Sequence, residues 1–161
     1  VTTLLNKYFE GQLPDYPREI DATLSQQCQT ILTDIQQALS QQKFRPASQQ
    51  LRALWVLGNE YITQQAPWKL IKTDKAAAAN VLTHCVHLIR CFAIANFAFM
   101  PKTAQVLFDI LNIQENVGDI PLADAGDFDV LPVGHVLNSH ENLFTKIQPE
   151  QVQELKVKFS G

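Results

Sequence analysis

Two groups of residues in this chain combine types and spacing that can do chemistry. The first is built on Trp68, which follows Pro67 directly and is trailed at intervals of three by Lys69, Lys72 and Lys75. Proline has no amide proton and disfavours the helical region for the residue before it. A helix arriving there bends or ends near Ala66, which leaves the indole at a corner. The three-residue spacing sets the ammonium groups on one helical face or around one turn, beside the ring. A flat aromatic among cations suits single-stranded nucleic acid, whose bases stack on the ring while its phosphates meet the charges. The competing expectation is burial, because an indole's apolar area is worth more out of water.

The second group is His84, Cys85, His87 and Cys91, which share one expected helix. His87 and Cys91 stand one turn apart, a spacing that a metal can bridge. No third or fourth ligand lies nearby in sequence, and the apolar surroundings point to packed thiols and partly exposed imidazoles, so no metal is expected. Cys28, Cys85 and Cys91 make an odd count without a paired Cys-x-x-Cys, which argues against a disulfide framework or a zinc knuckle. They read as reduced, small apolar residues. His135 and His140 have no nucleophile coupled to them by sequence, and no glycine-rich phosphate loop is present. The expected set of catalytic residues is therefore empty.

The elements that must position Trp68 are helices. A first helix runs to about Glu10 and is stopped by Gly11 and Pro14. Residues 21–41 repeat apolar positions at Ala22, Leu24, Cys28, Ile31, Leu32, Ile35 and Leu39, the mark of a surface helix with one buried stripe. A third helix starts near Pro46 and carries Leu51, Leu54, Trp55, Gly58 and Ile62 as far as Pro67, with Trp55 and Tyr61 expected to pack inside and Gly58 to mark a close helix contact. Thr73 and Asp74 are capping types ahead of a fourth helix, apolar nearly all round and so placed at the centre of a bundle. A fifth runs from Pro101 to about Leu111. Beyond Gln114, glycines, prolines and aspartates without helical period predict an ordered tail, and Pro149 opens a short last helix able to pack back on the bundle. The fold expected is all-α: a bundle of about five helices over residues 1–112, then a tail over 113–161.

At 161 residues the chain is long enough for one sizeable core and short for two. Its net charge of −3 excludes a general nucleic-acid coat, so any RNA contact must be local, and DNA is not an expected partner. No stretch approaches the roughly 20 uninterrupted apolar residues of a membrane span. The N-terminus lacks the basic-then-apolar pattern of a signal peptide, which makes cytoplasm the expected location.

Several stretches resemble one family. Asn59-x-Tyr61 followed by Ala66-Pro67-Trp68-x-Leu70-x-Lys72-x-Asp74 is similar to the signature of the anticodon-binding helical domain of methionyl-tRNA synthetases. Leu5 to Gly11 resembles the end of that domain's first helix, and Arg90 to Pro101 its penultimate long helix and the proline-started successor. Gly134-His135 with Leu143 to Ile147 resembles the tail that returns over the domain in bacterial enzymes. The resemblance implies that Trp68 stacks on a base of the CAU anticodon, that Asn59 either reads RNA or anchors the neighbouring helix, and that Lys69 and Lys72 meet phosphates. Arg45, Arg52 and Arg90 are candidates to extend the basic surface.

It further implies that two principal base readers, an asparagine and an arginine, lie upstream of Val1, so that 1–161 would be the domain cut within its first helix and lacking the catalytic part. The His-Ile-Gly-His and Lys-Met-Ser-Lys-Ser signatures of class I activation are indeed not in this sequence. This fragment would need no cofactor, whereas the full enzyme would use ATP and magnesium. The partners implied are tRNA and the catalytic domain of the same enzyme. Where some bacterial members carry acidic residues before the Ala-Pro-Trp motif, this chain has Thr63, Gln64 and Gln65, so repulsion of wrong anticodons is either weaker here or falls to Glu60. Two alternatives stay open: the equivalent domain of another class I synthetase, and a helical protein-interaction module that binds a partner helix in an apolar groove.

Overall fold

A computed structural model describes residues 1–140, 143–144 and 147–159. Its helices are α1 (Thr2–Tyr8), α2 (Ala22–Ser40), α3 (Phe44–Gln65), α4 (Pro67–Leu70), α5 (Lys75–Asn96), α6 (Pro101–Ile110) and α7 (Pro149–Phe159), with short 3₁₀ turns at Val117–Asp119 and Leu122–Gly126. The expected all-α bundle is present, and no strand occurs among the described residues. Of the stretch Leu143 to Ile147, Thr145 and Lys146 lie outside the described residues.

α5 is the hub, packing on α3, α4, α6 and both 3₁₀ turns. By length and hydropathy it qualifies as a membrane span, yet most of it is buried inside the bundle, as an all-round apolar helix requires in a globular core. Asp74 caps it, its carboxylate accepting from the Ala77 amide at 2.9 Å, and Asp21 caps α2 through the Leu24 amide at 2.9 Å. On α2 the buried stripe is Leu24, Cys28, Leu32, Ile35 and Ala38, while Ala22 is exposed. All three cysteines are free and buried. Where α3 crosses α5, Gly58 faces Phe92 so closely that an added Cβ would lie 2.4 Å from the ring's Cζ.

The tail is ordered by long-range bonds. Leu13 N–H donates to His135 O and Leu137 N–H to Gly11 O, both at 2.9 Å, forming an isolated antiparallel bridge between Gln12 and Val136, and Gly134 N–H adds a bond to Leu13 O at 2.9 Å. Arg18 donates to the Leu131 carbonyl at 2.6 Å and pairs with Asp129 at 3.3 Å. The two helix histidines also hold loops. His87, fully buried, donates from Nδ1 to the Thr83 carbonyl at 2.9 Å, and its Nε2 accepts the Leu131 amide at 3.3 Å. His84 accepts the Asp21 amide on Nε2 at 3.2 Å. Both imidazoles are thus buried rather than partly exposed, and every ring nitrogen is occupied by the fold.

Two further expectations are corrected here. α7 does not pack back on the bundle: every residue of Pro149–Phe159 is exposed, with Val157 at 72% and Phe159 at 73%. Its polar spacing dilutes the apolar stripe too far to compete for the core. Arg90 is not on the surface but 4% exposed, donating to the Asp124 carbonyl at 3.1 Å, because it lies on the hub helix beneath the second 3₁₀ turn.

Candidate nucleic-acid interface

The corner between α3 and α4 is made by one residue in an uncommon conformation. Ala66 lies in the left-handed region (φ 43°, ψ 57°). Pro67 bars it from the right-handed helix, and the left-handed turn lets its amide still close α3 on the Ile62 carbonyl at 3.0 Å. For a residue with a Cβ this costs on the order of 1–2 kcal/mol. Pro67 is buried as the first residue of α4, and Leu70 and Ile71 are half-buried against the core, as expected. These anchors hold the intervening Trp68 outward, 43% exposed.

Trp68 therefore keeps nearly half of its surface in solvent. Among the described residues no aromatic ring or cation lies on it. Lys69 and Lys72 are exposed on the same short turn, where the Lys72 amide bonds the Lys69 carbonyl at 3.1 Å. Lys75 leaves the group: it opens α5, and its ammonium sits 5.1 Å from the centre of the Phe9 ring.

Asn59 is exposed on α3, six residues before the helix ends at Gln65. Its side chain makes no hydrogen bond among the described residues, so it does not anchor a neighbouring helix there. Its carbonyl accepts the Thr63 hydroxyl at 2.6 Å. Val56, Asn59, Glu60, Thr63 and Gln64 border a shallow hollow of about 300 Å³, whose side chains include two amides, a carboxylate and a hydroxyl. Tyr61 instead faces inward, 8% exposed, with its hydroxyl 3.0 Å from His84 Nδ1. Burial pushes that phenol well above its ordinary pKa and holds His84 below its own.

The family model described as the anticodon binding domain of methionyl tRNA ligase matches residues 15–161. The chain belongs to that family. A methionine–tRNA ligase of Acaryochloris marina is 37% identical over 145 residues, 90% of this chain and 26% of the relative. That of a Ruegeria species is 31% identical over 163 residues, 100% of this chain and 28% of the relative. The chain thus spans about a quarter of the length of the curated relatives it matches. The free-state Mycobacterium tuberculosis methionyl-tRNA synthetase superposes with a TM-score of 0.75 over 92% of this chain and 30% of that one, at 22% identity, a likeness of fold.

Within this anticodon-binding fold, sequence reasoning misplaced one aromatic. Trp55 is not buried between helices: it is 36% exposed, and its face too is free of rings and cations among the described residues. The buried face of α3 is Ala47, Leu51, Leu54, Gly58 and Tyr61. Plotted at roughly 100° per residue, Trp55 falls off that face and beside Asn59, a signal that was available in the spacing.

Proposed function

We propose that this domain binds the CAU anticodon of methionine tRNA on the α3–α4 corner, so that a ligase carrying it attaches methionine to that tRNA. The observation that carries the reading is the solvent-facing Trp68, fixed outward by a left-handed alanine and a buried proline. Stacking an unpaired base on the indole supplies affinity of roughly 1–3 kcal/mol but no sequence discrimination, since every base has a face. Edge contacts must discriminate, and Asn59 offers a donor and an acceptor for them. Lys69 and Lys72 meet phosphates. This chain's part in catalysis is at a distance: anticodon binding supplies free energy that helps dock the acceptor end in a catalytic domain of the same enzyme, where ATP and magnesium serve amino-acid activation. The setting is the cytoplasm.

The test is Trp68→Ala in the complete ligase. Charging efficiency is expected to fall about 5- to 150-fold, the range set by one lost stacking partner. ATP-dependent methionine activation, which needs no tRNA, is expected to stay within twofold. Unchanged charging by the variant would remove Trp68 from the interface.

A further inference from the structure

We propose that the RNA surface extends along α3, with Trp55 as a second stacking platform and Arg52 as its phosphate contact. The inference rests on the anticodon-binding reading above and adds two residues to it.

Arg52, Trp55 and Asn59 are all exposed and occupy roughly 60° of the helix circumference over about 10 Å of its length. Arg45 and Thr63 continue the same stripe in either direction. α3 carries two arginines, both on this stripe, and a single carboxylate, Glu60, on its flank. In a chain of net charge −3 that local excess of cation is the electrostatic complement of a phosphate backbone. The indole between Arg52 and Asn59 has no ring or cation on its face among the described residues, although an arginine stands three positions away. A partly exposed indole with no ring or cation stacked on it, flanked one turn away on one side by a cation and on the other by an amide, matches what one nucleotide presents: base face, phosphate and base edge. Because Asn59 belongs to both the family signature and this stripe, the new residues are continuous with the site already described. RNA, rather than a partner helix, is the occupant favoured by the two guanidiniums.

The chain holds only two tryptophans, so a Trp68→Phe variant makes Trp55 its sole indole. Titrating that variant with a CAU anticodon stem-loop at low salt is expected to quench the Trp55 fluorescence. Trp55→Ala is expected to weaken stem-loop binding about 5- to 150-fold, with Trp55→Phe recovering most of the loss. Arg52→Gln is expected to reduce the slope of log affinity against log salt by about one unit. If Trp68→Ala weakens binding while Trp55→Ala binds normally and Trp55 is not quenched, the extension is wrong and the anticodon reading survives. If the complete wild-type ligase ignores the stem-loop at every salt concentration, both fall. If RNA is inert but Trp55→Ala abolishes a concentration-dependent self-association, the stripe is a protein contact and the proposal is overturned.

Discussion

Each buried imidazole on α5 fixes a loop through a backbone amide, and that makes the loop's attachment sensitive to protons. Burial drives the His87 pKa down to about 4, with Arg18 and Arg90 opposing protonation as well. The unfolded chain takes up this proton near pH 6.5 and the folded one does not. His87 therefore adds nothing to acid lability above about pH 6.5, and stability is lost progressively as pH falls from there towards 4. The full loss is roughly 3 kcal/mol. Urea unfolding at pH 7, 6 and 5 is expected to show a falling midpoint, and His87→Gln, which can neither charge nor titrate, is expected to flatten that fall. A midpoint equally steep in the variant would place the acid sensitivity elsewhere. At this scale the sequence was legible where covalent constraint decides the outcome: Pro67 dictates the corner and hence Trp68. It was not legible for Arg90 or the histidines, because apolar neighbours in sequence do not say which side of a helix its partners occupy.

Helices were the most readable elements, since their caps and periods are local. Asp74, Pro101 and the all-round apolar α5 each declare themselves within a few residues. The contact between α3 and α5 is sharper than any pattern could specify. A methyl group at Gly58 would collide with the Phe92 ring, and the strain is expected to exceed the roughly 1 kcal/mol of helix propensity that alanine brings. Gly58→Ala should lower the melting temperature by several degrees, and pairing it with Phe92→Leu should restore much of the difference. Additive losses in the double variant would contradict the collision. α7 behaves oppositely. With none of its described residues buried in the core, it adds little to the domain, so deleting residues 149–161 is expected to move the melting temperature by no more than about 2 °C. A larger drop would mean that the helix is held against the bundle in solution.

For the whole molecule, the tail's order is the feature that composition concealed. Its glycines and prolines mark the absence of a helical period, but the bonds that organise it come from Arg18, His87 and Leu13, far away along the chain. Such pairing leaves no periodic trace. The bridge between Gln12 and Val136 has a consequence for synthesis. Residues near Leu13 leave the ribosome roughly 120 positions before the segment that closes over them, a delay on the order of ten seconds at ordinary elongation rates. Throughout that interval the nascent chain keeps Leu13 short of its final neighbours, and a chaperone has an opportunity there.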